Sequence, residues 1–275
     1  MADGEEELDE ELWAPFLAFR KEDRRAARLR EHVQEDIKRG RRHLPRRADA
    51  LSRGQIVRAA IRVADTDGAD AVSMRRIARE LNAGTMSLYW HIASKEELLD
   101  LMLDWVQGEQ QVPEPSGDWQ ADMRGMAASA RALLHQHPWA MDFMGGRPPV
   151  GPKSMQNLER ALASLDRLGL DKATAVTIVT TLMTYVLGAV LREVQELNGE
   201  RYLQEQVAEL TDEEKESVVR EFAERVRATG RYPHMAAMIA EGVDPDAPET
   251  RDDRFQFGLD ALLDGLAARI AQPRP

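Results

Sequence analysis

Cysteine is absent from the 275 residues, so neither a disulfide framework nor a thiolate metal site is available. Apolar runs are short as well: read residue by residue, none reaches the roughly 20 positions that a membrane-crossing helix needs. The first residues, Met1-Ala-Asp-Gly-Glu-Glu-Glu7, are acidic and lack the basic-then-apolar order of a secretory leader. A soluble cytoplasmic protein without membrane association is expected. No stretch alternates apolar and polar residues with period two, which leaves an all-α class. Glycine-rich nucleotide-binding patterns and a His-Glu-x-x-His helix are also missing. Neither enzymatic chemistry nor a cofactor is therefore expected.

The formal charge of −11 argues against a nucleic-acid partner until it is divided along the chain. Residues 1–19 hold seven acids and no base. Residues 20–95 hold 19 Lys and Arg against 10 Asp and Glu, a net of +9, and the remainder is acidic at −13. Phosphate contacts depend on local potential, so a basic N-terminal part on an acidic body fits a DNA reader with a separate control domain.

Four segments follow from this division. Residues 1–47 form a charged extension in which Gly40 and Pro45 interrupt a helical spacing. The tether Arg-Arg-His-Leu-Pro-Arg-Arg follows, and its Arg46 and Arg47 are candidate phosphate contacts; a solvated helix is the competing reading. Residues 48–95 form a helix-turn-helix module, 96–111 a connecting helix, and 112–275 a helical effector and dimerisation domain beginning at the breaker cluster Val112-Pro-Glu-Pro-Ser-Gly117. Ser52 and Gln55 have capping-box spacing, and Asp67-Gly68 ends that helix. Ser73 caps the next helix, and Ser94 with Glu97 caps the fourth. Beyond the breaker, helices are expected at about 118–136, 153–168, 171–197, 211–229 and 251–271.

Between Gly84 and Ala93 lies the most informative stretch. On a helix from Thr85, Leu88 and Ile92 fall four apart and face inward. Thr85, Met86, Ser87, Tyr89, Trp90 and His91 are spread over the remaining surface. Hydroxyls can meet base edges, and Met or Thr methyls the thymine methyl. Tyr89 and His91 suit phosphate oxygens, and Trp90 suits the sugars or the module itself. Arg75 can reach guanine bidentately, with Ser73 beside it. Lys95 forms a small anion site with the first-turn N–H groups of the fourth helix. The plainer alternative makes Tyr89 and Trp90 core aromatics, with one of the two turned inward.

Leu88-Tyr-Trp-His-Ile-Ala-Ser-Lys95 resembles the TetR family of one-component transcriptional regulators, over about Leu51 to Met102. The resemblance implies that Arg75, Thr85, Met86, Ser87, Tyr89, Trp90, His91 and Lys95 contact DNA. Thr85-Met86 stands where tetracycline repressors carry Gln-Pro, which implies a different operator. The extension of about 50 residues is longer than the family's usual arm. Further along, Asp118-Trp119-Gln120 and Arg147-Pro148 are similar to the tetracycline-repressor type of C-terminal domain. The Asn and Phe that hold tetracycline align with Met126 and Ala130, and the magnesium-binding His with Phe143 or Met144. An apolar or aromatic effector therefore replaces a metal-assisted one as the expectation.

Met123, Met126, Phe143, Met144, Leu158, Leu162, Met183 and Leu187 are the candidate effector-pocket lining, each also a candidate core residue. Thr177, Thr180, Thr181 and Thr184 read as hydroxyls bonded to their own helix. Helices 171–197 and 251–271 are broadly apolar, and the resemblance implies that each subunit contributes both to a homodimer, the alternative being the ordinary core of a monomeric bundle. His135-Gln-His137 reads as a helix end before Pro138 rather than a metal pair. Together these readings describe a repressor that binds a palindromic double-stranded operator as a homodimer and is released by a small hydrophobic effector. An architectural DNA binder and, further off, a helical-bundle enzyme are the alternatives.

Overall fold

The computed structural model describes residues 51–144, 151–206, 208 and 210–271. Arg46, Arg47 and Arg147 lie outside that range, as does the side chain of Met144. All regular structure among the described residues is helical, with no strand among them. The eleven α-helices described are α1 (Arg53–Asp67), α2 (Met74–Glu80), α3 (Thr85–His91), α4 (Lys95–Glu109), α5 (Trp119–Gln136), α6 (Met141–Met144), α7 (Pro152–Ser164), α8 (Lys172–Gln206), α9 (Asp212–Thr229), α10 (Pro233–Ala240) and α11 (Arg251–Ile270).

Each boundary in the N-terminal module has a local cause. Ser52 and Gln55 close a reciprocal capping box at the start of α1, satisfying two otherwise unpaired backbone donors. Gly68, at φ 82, ends α1. Ser73 caps α2 by accepting from Arg76 N–H at 3.2 Å, and Ser94 caps α4 by accepting from Glu97 N–H at 3.0 Å. The Glu97 carboxylate accepts from Ala93 N–H at 2.6 Å and pairs with Arg53 in the first turn of α1. Asp118 accepts from Gln120 and Ala121 N–H, both at 3.1 Å, and opens α5.

Two compact units divide within α8, one ending at Val186 and the other starting at Leu187. In the first unit α1 packs on α2, on α4 and on the short 3-10 turn Pro138–Ala140, while α7 packs on both α4 and α5. Its core includes Ile56, Ile77, Leu88, Ile92, Leu98, Leu101, Met102, Met123 and Leu134, all fully buried. In the second unit α9 packs on α10. There Glu196 gathers Arg192 at 2.7 Å, Arg254 at 2.6 Å and Arg251 at 3.2 Å. Burial pushes the Glu196 carboxyl up, but hydrogen bonds from Arg192 and Arg251 and the charge of Arg254 outweigh it and hold the pKa below the ordinary value.

Helix α8 revises the expectation that no segment is long enough to span a bilayer. By length and composition alone, it is long and apolar enough to do so. The sequence understated this because threonines interrupt the run. Thr177, Thr181 and Thr184 each donate to the carbonyl four residues back, at 2.8, 2.7 and 2.8 Å, and Thr180 does the same. Those hydroxyls donate within the helix, which lowers the cost of carrying them in an otherwise apolar stretch. One stripe of the helix is buried, through Ala175, Ile178, Val179, Leu182, Val186 and Val190. That spacing is how a helix packs into a protein core. Helix α8 also runs to Gln206 instead of stopping near 197, straight through Asn198-Gly199. Helix α10, opened by Pro233 at its first turn, lies in a stretch where no helix was expected.

Candidate nucleic-acid interface

The turn between α2 and α3 aims the recognition candidate. Asn82 N–H donates to the Arg79 carbonyl at 3.1 Å and Ala83 N–H to the Ala78 carbonyl at 2.8 Å. These paired bonds form a Schellman stop. Its left-handed residue is Asn82, at φ 48, whereas Gly84 has an ordinary extended backbone at φ −77. The chain then re-enters a helix at Thr85 with Gly84 as the N-cap.

Helix α3 has seven residues and buries one of them, Leu88; Ile92, the residue that ends it, is also buried. A helix this short is marginal alone and is held by those two anchors. The other side chains point elsewhere. Met86 is 69% exposed and Tyr89 40%, while Thr85, Ser87, Trp90 and His91 are half-buried. A methionine so exposed at a helix start gains nothing for the fold. Trp90 is thus the more inward of the two aromatics, in keeping with one packing toward the module.

Two cations flank this helix. Arg75 and Lys95 are exposed. Arg76, one position from Arg75, is instead tied to Asp67 at 3.0 Å and Glu80 at 2.9 Å. The Ser73 hydroxyl is engaged in capping α2, although its own proton remains a donor. Arg75 on α2 and Lys95 at the start of α4 thus stand on the helices that precede and follow α3.

An open groove of about 540 Å³ lies beside the α2–α3 turn, lined by Leu51, Gln55, Arg58, Arg62, Leu81, Asn82 and Ala83. The sequence reading passed over Arg58 and Arg62. Their signal was the spacing of Gln55, Arg58 and Arg62, which places all three on one face of α1. The Arg58 guanidinium sits 5.3 Å from the centre of the Trp105 ring on α4.

Of the candidate effector residues, Met123 and Met126 are buried on α5. Leu158 and Leu162, on α7, are half-buried, as are Phe143 and Met183. Since α5 and α7 pack together, four of these residues share one helix pair. Leu187 falls in the second unit. The Thr184 hydroxyl donates to the Thr180 carbonyl at 2.8 Å, within its own helix as its spacing predicts. His137 follows the last residue of α5 and is buried. No group of three His, Cys, Asp or Glu able to hold a metal occurs among the described residues.

Known proteins share this layout. Residues 56–102 match the family of bacterial regulatory proteins, tetR family, and residues 112–270 match the tetracyclin repressor-like, C-terminal domain. The HTH-type transcriptional repressor DrrR1 of Streptomyces coeruleorubidus is 38% identical over 226 residues, covering 82% of this chain and 80% of the relative. The class A tetracycline repressor from transposon 1721 of Escherichia coli is 26% identical over 223 residues, covering 80% and 92%. The crystal structure of Streptomyces coelicolor ActR in complex with actinorhodin aligns with a TM-score of 0.61 at 29% identity, over 81% of this chain and 98% of that one. Both halves of the chain are accounted for by one lineage, and the protein belongs to the TetR family of bacterial transcriptional regulators.

Proposed function

We propose that the protein is a ligand-responsive repressor that acts in the cytoplasm, binds a palindromic operator as a homodimer through α3, and leaves it when a small apolar or aromatic effector enters the C-terminal domain. The observation that carries this reading is the composition of α3. It has one buried anchor, an exposed Met86 and Tyr89, and exposed Arg75 and Lys95 beside it. Phosphate contacts from Lys95, Tyr89 and His91 place the helix, and Thr85, Met86, Ser87 and Arg75 read base edges.

The effector class follows from Met123 and Met126, which offer adaptable apolar surface and no hard-cation ligand. ActR, whose solved complexes hold actinorhodin and (S)-DNPA, supports a small-molecule effector. DrrR1, named as a repressor, supports the direction of control. Dimerisation is supported by apolar side chains left in water, among them Val176, Leu191 and Leu197 on α8 and Phe257 on α11. An effector that binds better when the two reading heads are out of register lowers operator affinity by that differential alone.

Selection from random duplexes tests the reading directly. The expected product is a palindrome whose half-sites lie about 10 base pairs apart centre to centre, or a multiple of that. No enriched sequence would refute specific recognition and leave an architectural binder. A screen of polycyclic aromatic compounds for release of the selected duplex then tests the effector class.

A further inference from the structure

The reading head is held to the body at three places along α1, and the last is built from polar groups. At its first turn Arg53 pairs with Glu97 of α4. Midway, Arg58 lies over Trp105 of α4. At its last turn, Asp65 Oδ1 lies 2.7 Å from His137 Nδ1 and accepts from Trp139 Nε1–H, also at 2.7 Å. His137 Nε2 lies 3.1 Å from Glu109 Oε2 at the end of α4, and that same oxygen accepts from Gln136 at 3.3 Å. His137 and Trp139 are buried, and their rings meet edge to face with centroids 6.0 Å apart.

Carboxylates from the ends of α1 and α4 thus converge on one imidazole at the end of α5. Apolar packing tolerates small rotations, whereas hydrogen bonds of this kind weaken steeply with angle. Two further facts separate the set from ordinary core. The Asp65 and Glu109 side chains are 30% and 39% exposed, so neither is needed to fill space. The contact also joins α1 to the end of α5 directly, without passing along α4.

We infer that Asp65, Glu109, His137 and Trp139 form a clasp that fixes the angle of the reading head on the body, and so sets which half-site spacing the dimer accepts. The inference rests on the proposed reading of a dimer bound to paired half-sites. Shifting one half-site by a base pair moves it about 3.4 Å and turns it by about 35°, since a helical turn holds about 10 base pairs. A head clamped in orientation rejects that shift, and a head freed at one corner follows it. These are positioning residues, which act through the orientation of the head and not by touching DNA.

The test uses the full chain with two substitutions, Trp139→Phe and Asp65→Ala, the second removing the oxygen that both His137 and Trp139 meet. Trp139→Phe is the decisive one, because it keeps an aromatic ring and removes the N–H given to Asp65. Affinities are measured for the selected palindrome, for the same palindrome with one base pair inserted or removed between half-sites, and for a single half-site duplex. Wild type is expected to favour the selected spacing by tenfold or more. Trp139→Phe and Asp65→Ala should shrink that preference at least threefold, with half-site binding within twofold of wild type.

Unchanged spacing preference in Trp139→Phe and Asp65→Ala overturns the clasp. So does a parallel loss of half-site binding and thermal midpoint in both, which would make the contacts supports of the fold. If wild type itself selects no paired half-sites, the proposed function fails instead, and the two failures are told apart by that first measurement.

Discussion

Asp104 fills the space in front of Gly151 that a Cβ would need, and that vacancy lets α4 cap α7. The Asp104 carboxylate, buried on α4, accepts from Ser154 N–H at 2.9 Å and from Lys153 N–H at 3.4 Å. Helix α7 has no side-chain cap of its own, because Gly151 occupies the N-cap position. A carboxylate from a neighbouring helix supplies what Ser or Asp would usually provide, and it also complements the helix dipole.

Gly151→Ala is therefore expected to destabilise the protein by about 1–3 kcal/mol, the usual cost of overpacking a filled site. A Cβ at Gly151 overlaps the Asp104 carboxylate, which α4 holds in place. Gly188 is the control, since a Cβ there meets nothing within 4 Å. Denaturant titration of the two Ala variants measures the difference. Equal stabilities would remove the argument that Asp104 needs this space.

The same carboxylate gives a pH signature. Burial is the main cause that raises the Asp104 pKa, and N–H donation from Ser154 and Lys153 opposes it only in part. In the unfolded chain the group titrates near its ordinary value, about 3.9. Between that value and the raised one, the folded state holds a proton that the unfolded state has released. Stability therefore falls as pH climbs through this window and then levels off. Asp104→Asn keeps a carbonyl acceptor for Ser154 and has no proton to lose. Its stability relative to wild type should rise from about pH 4 upward, and parallel pH curves for the two proteins would refute the assignment.

The α2–α3 turn offers a backbone test. Asn82 sits at φ 48, a region that costs a residue other than glycine about 1–2 kcal/mol and asparagine less. Asn82→Gly should keep or raise stability, and Asn82→Ala should lose about 1 kcal/mol. Because the Schellman bonds are made by backbone groups, the Gly variant should also keep operator affinity within twofold. A Gly variant that folds well and loses the operator would show that the Asn82 side chain itself reads or positions DNA.

These cases show which features the sequence made legible. Ser52, Ser73 and Ser94 announced helix starts because a cap acts over two or three residues. The alternation of Leu88 and Ile92 with polar neighbours identified the outer face of α3 for the same reason. The helix expected to end near 197 instead continues through Asn198-Gly199 to Gln206, since packing overrides the low helix propensity of that pair. The left-handed residue of the turn is Asn82 although a glycine stands two positions on. The cap on α7, the groove beside Asn82 and the Asp65–His137 contact join residues 19 to 72 positions apart. Local periodicity carries no information about such pairs.

Two variants separate placement from reading at the interface. Lys95→Ala should weaken binding to operator and random duplex alike and reduce the slope of log K against log salt by about 0.9. Met86→Ala should leave the salt slope unchanged and relax preference at one or two operator positions. Arg75→Ala should cost about 1–3 kcal/mol on operator and little on random DNA. Titrations at several salt concentrations, on selected and scrambled duplexes, check all three. Equal losses on both duplexes for Arg75→Ala would reassign it to the phosphates.

Phe257 carries the dimer proposal. It stands on α11 with 79% of its surface exposed, although Phe255, Leu259 and Leu263 on the same helix are buried. Its replacement by Glu removes no core contact, so the monomer should stay folded with an unchanged helical signal. An aromatic at the centre of an interface is often worth about 2 kcal/mol or more, so the dimer should dissociate at least 30-fold more readily. Sedimentation across a concentration series measures this, with Gln256→Ala, an exposed neighbour, as the control. The DNA consequence is specific as well. Once monomeric, the variant should bind a palindrome no better than two independent half-sites, because the gain from tethering two heads is lost. An undiminished dimer in Phe257→Glu would place the interface elsewhere on the chain and leave this exposed ring without a role.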